Sequence, residues 1–178
     1  DISGFKESII ERSDYPIEEC KKILKDEVTA ILGYGPQGRG QSLNMRDQGF
    51  DVIIGLRKGN SWDKAILDGW EEGKTLFPIN EAVEKATIIQ FLLSDAGQIQ
   101  AWPEVKSRLK EGDALYFSHG FGVVFHQDTQ IVPPDNIDVI LVAPKGSGLT
   151  VRNHFKEGRG INASFAIHQD FTKKAKKR

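Results

Sequence analysis

Val28-Thr29-Ala30-Ile31-Leu32 runs straight into Gly33-Tyr34-Gly35-Pro36-Gln37-Gly38, and this junction decides the fold. An uncharged, β-prone run that stops at a glycine predicts a buried strand. Residues from about Gln37 to Gln48 predict the helix that follows, ended by Gly49. The hexapeptide between them spells G-x-G-x-x-G, a weak signal alone because glycine-rich turns are common. A strand before it and a helix after it give it a physical meaning. Gly33 permits a tight turn, Gly35 lets the backbone approach a pyrophosphate, and Gly38 lets helix and sheet pack closely. N–H groups at the helix start then face the phosphates.

Working outward, further apolar runs repeat the arrangement. Strands are expected at 51–54, 87–93, 114–117, 137–142 and 162–167, with helices at roughly 61–68, 79–86, 98–110 and 149–157. Pro103 is expected near the start of the third of these helices or at a kink in it. Alternating strands and helices imply an α/β fold: a Rossmann-like, doubly wound, mainly parallel sheet with helices on both faces. Ligands of such sheets bind beyond the carboxyl ends of the strands. The polar and glycine-rich clusters of this chain fall at those ends. The expected organisation is an arm with one short helix over 1–27, a dinucleotide domain over 28–170, and the start of a further helical region over 171–178.

Composition narrows the function classes. The 24 basic and 25 acidic residues balance to a net charge of −1, which gives no pull toward nucleic acid or an anionic membrane. The basic tail Lys173–Arg178 reads as part of a surface helix, since no second basic patch supports it. Cys20 is the single cysteine, so neither a disulfide framework nor a cysteine-rich zinc site is available. A reducing, cytoplasmic location is expected; a removed leader would leave no trace, so an organelle stays open. No apolar run approaches membrane-spanning length.

The second strand bears on which dinucleotide binds. An NAD site usually carries Asp or Glu about 20 residues past the glycines, to bond the ribose 2′-hydroxyl. Here the strand ends in Gly55-Leu56-Arg57-Lys58-Gly59-Asn60-Ser61. Two cations and a hydroxyl suit a 2′-phosphate, with no carboxylate expected beside them. Charge-assisted bonds of this kind are worth ~1.5–3 kcal/mol each, so NADPH is the expected cofactor. Leu93-Ser94-Asp95-Ala96-Gly97-Gln98 would flank its nicotinamide half.

At the next strand end, His119 in Ser118-His119-Gly120-Phe121 suits acid, base or electrostatic work near neutral pH. A lone histidine serves structure as readily. Lys145 in Pro144-Lys145-Gly146-Ser147-Gly148 is either a functional cation or an exposed turn lysine.

Gly33–Gly38, Gly55-Leu56-Arg57-Lys58, Leu92-Leu93-Ser94-Asp95, Tyr116–Phe121, Val142–Gly148 and Glu157-Gly158-Arg159-Gly160-Ile161-Asn162 occur in this order. Together they resemble the N-terminal domain of ketol-acid reductoisomerases, the acetohydroxyacid isomeroreductases of branched-chain amino-acid synthesis. The resemblance runs from about residue 12 to 170. It implies an NADP-dependent oxidoreductase acting on 2-acetolactate or 2-aceto-2-hydroxybutyrate, small hydroxy-keto acids. A magnesium-assisted alkyl shift and hydride transfer from NADPH would give a 2,3-dihydroxy acid.

By the same resemblance, His119 and Lys145 match catalytic positions. Tyr34, Gly35, Pro36 and Gln37 match the phosphate loop that Gly33 and Gly38 frame. Arg57, Lys58 and Ser61 match the 2′-phosphate pocket, and Asp95, Gln98 and Gly148 match further cofactor contacts. The magnesium carboxylates and most of a homo-oligomer interface are implied to come from a helical domain beyond these residues. Glu18-Glu19, Glu71-Glu72 and Glu81/Glu84 read as solvated surface acids, so Mg2+ ligands are not expected here. The 178 residues alone are expected to bind NADPH with little or no turnover, and to self-associate through apolar surface left exposed. Two rivals share the glycine loop: another NADP-linked reductase, and a cofactor-sensing module without catalysis.

Overall fold

A computed structural model describes residues 4, 6 and 8–178. In chain order its elements are α1 (Ile17–Ile23), β1 (Thr29–Leu32), α2 (Pro36–Asp47), β2 (Val52–Leu56) and α3 (Asn60–Leu67). Next come β3 (Leu76–Pro78), α4 (Ile79–Lys85), β4 (Ile88–Phe91), α5 (Asp95–Lys106) and β5 (Ala114–Phe117). The chain continues through α6 (Phe121–Val124), α7 (His126–Thr129), β6 (Asp138–Pro144), α8 (Gly148–Lys156) and β7 (Ala163–Gln169). One sheet runs β3-β2-β1-β4-β5-β6-β7, parallel except for β7, which pairs antiparallel with β6.

Strand alternation sorts the apolar residues into two layers. Ala30 and Leu32 of β1 pack with Ala82 and Val83 of α4 and Trp102 and Val105 of α5. Ile31 faces the other way, against Leu43 of α2, Trp62 and Ala65 of α3, and Trp70. β1, β2, β4 and β5 are buried along their whole length, which is why each reads as a continuous apolar run. Each fully buried Ile or Leu among them contributes roughly 1.5–3 kcal/mol. After β3 the chain crosses back over β2 and β1 to lay down β4, so the switch point lies between β1 and β4.

Three local features differ from the sequence expectation. β3 is a three-residue edge strand closed by Pro78, too short to produce an alternating pattern. α5 begins at Asp95 because the Ser94 hydroxyl caps it, accepting from the Gly97 N–H at 3.3 Å. Pro103 therefore lies inside that helix, which ends at Lys106.

Residues 171–178 form bends and a turn rather than the expected helix. That segment folds under the sheet: the Thr172 N–H and hydroxyl bond the Asp138 carboxylate, and Ala175 is buried. Arg178 bonds the Glu27 carboxylate at 2.8 Å and the Gly112 carbonyl at 2.6 Å.

Candidate cofactor site

The glycine turn is shaped by what stands beside it. Gly33 has φ +105°, and a Cβ there would lie 2.7 Å from the Leu92 carbonyl oxygen at the exit of β4. A Cβ on Gly38 would lie 2.1 Å from the Gly33 carbonyl oxygen, so helix and turn touch through backbone alone. Gly35 is the opposite case. It caps α2 with no side-chain bond, and nothing stands within 4 Å of its Cβ position. The helix start is thus open at Gly35, and a helix N-terminus carries the unpaired N–H donors a diphosphate requires.

Tyr34 contributes only its backbone to that turn. Its side chain is buried on the α3 side, where the hydroxyl donates to Asp68 Oδ2 at 2.9 Å and accepts from Trp70 Nε1 at 2.8 Å. Burial first, then the bond to Asp68, pushes this phenol well above its ordinary range. Arg39 grips the same carboxylate at 2.6 and 2.7 Å and holds it below the usual carboxylate range.

A cleft of about 330 Å³ opens in front of the turn. Gly35, Pro36 and Gln37 form one wall; Leu92, Leu93, Ser94 and Gln98 form the β4–α5 wall. Ser118 and His119 arrive from the end of β5, and Ser147 and Gly148 from the start of α8. Gln98 is 2% exposed, and its amide donates to the Phe91 and Leu93 carbonyls at 3.1 Å each. The side chain therefore fixes the bend leaving β4. Asp95 sits at the mouth of α5, where Oδ1 lies 3.4 Å from His119 Nε2, both side chains about half exposed. Lys145 stands just past β6, exposed and outside the cleft lining, its N–H held by the Asn162 carbonyl at 2.8 Å.

A polar relay behind the cleft escaped the sequence reading. Gln37 Nε2 donates to the Gly146 carbonyl at 2.8 Å, while Gln37 Oε1 accepts from Gln41 at 3.0 Å. Gln41 also donates to Ser118 Oγ and accepts from the buried Tyr116 hydroxyl, each at 3.0 Å. The glycine turn, the His119 loop and the Lys145 loop are thereby tied together. The i, i+4 spacing of Gln37 and Gln41 on α2 was the available signal.

At the end of β2, Arg57, Lys58 and Ser61 are all exposed, as is Gly59, the N-cap of α3. Arg57 Nη1 donates to Gln100 Oε1 at 2.8 Å. Lys58 lies over the Trp62 ring, 3.7 Å from its centroid, and bonds Glu72 Oε1 at 2.5 Å. The expectation of a carboxylate-free pocket is thus corrected. Glu72 lies 14 residues on, and the turn before β3 folds it back against Lys58. Glu71 is paired with Lys74, and Glu18 and Glu19 with Lys21 and Lys22. Among the described residues no group of three or more His, Cys, Asp or Glu could hold a metal ion. The described residues do not fit magnesium, which takes a shell of oxygen ligands. Nor is any described helix long and apolar enough to cross a membrane.

A doubly wound sheet with an open, glycine-lined helix start at its switch point defines a dinucleotide-binding domain of the Rossmann type. The chain belongs to the acetohydroxy acid isomeroreductase family, whose NADPH-binding domain matches residues 23–178. The ketol-acid reductoisomerase (NAD(+)) of Desulfosudis oleivorans is 56% identical over 99% of this chain and 51% of its own length. The probable mitochondrial ketol-acid reductoisomerase of Schizosaccharomyces pombe is 57% identical over 100% of this chain and 44% of its own. An NADH-preferring ketol-acid reductoisomerase from an uncultured archaeon superposes with TM-score 0.84 at 37% identity, covering 95% of this chain and 50% of that one. The chain thus spans about half the length of these relatives. A nicotinamide cofactor follows from the family.

Proposed function

We propose that this chain binds NADPH across the carboxyl ends of β2, β1 and β4. Within a longer polypeptide it would serve the conversion of 2-acetolactate or 2-aceto-2-hydroxybutyrate to 2,3-dihydroxy acids. The observation that carries the reading is the uncapped start of α2 beside Gly35, opening into the same cleft as Ser118 and His119. Reduced nicotinamide supplies a hydride there.

The chain's own residues would bind, orient and balance charge. Amides of Gly35, Gln37 and Gly38 receive the diphosphate, and Arg57, Lys58 and Ser61 the 2′-phosphate. His119, facing Asp95, would hold a proton near the reacting carbonyl, and Lys145 would place a cation where an alkoxide develops. A group fixed where charge appears acts mainly on the transition state. Magnesium ligands and the subunit interface would come from the remainder of such a polypeptide.

Glu72 on Lys58, together with the NAD(+)-named relative, favours a second reading in which NADH competes well. Titration of NADPH against NADH separates the two, with Arg57→Asp and Lys58→Asp alongside. NADPH affinity should fall in both variants while NADH affinity holds. An unchanged ranking would remove the 2′-phosphate from this turn.

A further inference from the structure

We infer that Glu72 sets the margin between the two nicotinamide dinucleotides, by competing with the 2′-phosphate for Lys58. This rests on the cofactor site proposed above and adds a residue to it. Lys58 is not a free cation: the face of Trp62 lies under its ammonium at 3.7 Å, and Glu72 Oε1 meets it at 2.5 Å. The buried indole fixes one side, since Trp62 is only 2% exposed. The side of Lys58 toward Glu72 is therefore filled by a carboxylate. Arg57 is turned toward Gln100, so Lys58 is the cation whose partner carries a full opposite charge.

An arriving 2′-phosphate must either displace Glu72 or share Lys58 with it, and two anions on one ammonium repel. A 2′-hydroxyl has no such conflict and can donate to the same carboxylate. Glu72 thus disfavours the phosphorylated dinucleotide and is neutral or helpful to the other. Both Lys58 and Glu72 are largely exposed, at 61% and 59%, so water and salt screen the effect. A change of about threefold to fivefold is the most that an exposed pair supports.

The test is Glu72→Gln, which keeps shape and removes charge at a solvent-facing position. Dissociation constants for NADPH and NADH are measured at low and high salt, in the full chain and in Lys58→Met and Lys58→Met/Glu72→Gln backgrounds. NADPH should tighten by about threefold to fivefold at low salt and less at high salt, with NADH within about twofold of its starting value. In the Lys58→Met background the same substitution should lose most of its effect. An unchanged NADPH-to-NADH ratio in Glu72→Gln, with the parent chain binding NADPH, overturns the role of Glu72 alone. A full effect persisting without Lys58 overturns the competition. A parent chain that binds neither dinucleotide overturns the cofactor site and this inference together.

Discussion

Gly148 meets Pro36 backbone to backbone: a Cβ on Gly148 would stand 1.7 Å from the Pro36 carbonyl oxygen. One turn along α2, a Cβ on Gly40 would stand 2.4 Å from the Gly148 carbonyl oxygen. The start of α8 is thus seated directly on the start of α2. Asn44 and Asp47 extend the seam, bonding Arg152 at 2.9 and 2.6 Å. This contact brings Ser147 and Gly148 to the cleft.

Gly148→Ala should therefore act at the cofactor cleft although it adds one methyl. The obstacle is backbone, which cannot rotate away, so α8 must lift from the glycine turn. A stability loss of about 3 kcal/mol is expected, at the upper end of ordinary overpacking. Urea denaturation reads that loss, and cofactor titration should show weakened binding. Wild-type stability with wild-type affinity would mean that the seam is looser than described.

The relay through Gln41 makes a different prediction. Gln41→Leu removes partners from Gln37, Ser118 and Tyr116, although Tyr116 keeps the Val142 carbonyl at 3.1 Å. Stability should fall by roughly 1–2 kcal/mol. Cofactor affinity should fall by about tenfold, equal to ~1.4 kcal/mol, because the turn and the His119 loop lose their common anchor. Calorimetric titration beside a denaturation curve separates the two effects.

Tyr34 reverses that pattern. Its hydroxyl serves Asp68 and Trp70 on the α3 side, away from the cleft. Tyr34→Phe leaves the buried Trp70 N–H without an acceptor and should cost about 1–3 kcal/mol of stability. Dinucleotide affinity should stay within about twofold, a factor below ~0.5 kcal/mol. A large affinity loss would place the phenol in the site after all.

Asp68 gives the pH counterpart. Its carboxyl lies below the ordinary carboxylate range in the folded state, first because of the Arg39 bonds, against an unfolded value near ~3.9. Its contribution is complete above that unfolded value and is lost as pH falls through the lowered folded value. Asp68→Asn should flatten the acid limb of the stability profile below about pH 4 and lower stability at neutral pH. Asp113, raised by burial, runs the other way: its contribution is largest at low pH and is lost as pH climbs through the raised value.

The layered core was readable because β1, β2, β4 and β5 are buried on both faces and spelled in apolar runs. The glycine turn was readable because a β1–α2 junction this tight excludes side chains at Gly33 and Gly38. Other features depend on partners far along the chain. Glu72 reaches Lys58 only because the segment before β3 folds back, and nothing local to either residue announces it. The direction of Tyr34 is set by Asp68 and Trp70, which lie 34 and 36 residues away. Residues 171–178 look like a solvated basic helix in isolation. Asp138 and Glu27, distant in sequence, are what hold them under the sheet.

The backbone amides at the start of α2 carry the account, and an NMR titration of the 15N-labelled chain with NADPH reads them directly. The largest amide shifts should fall on Gly35, Gln37 and Gly38, with smaller ones at Arg57, Lys58 and Ser118. Saturable binding that leaves those three amides unmoved while shifting resonances elsewhere would contradict it.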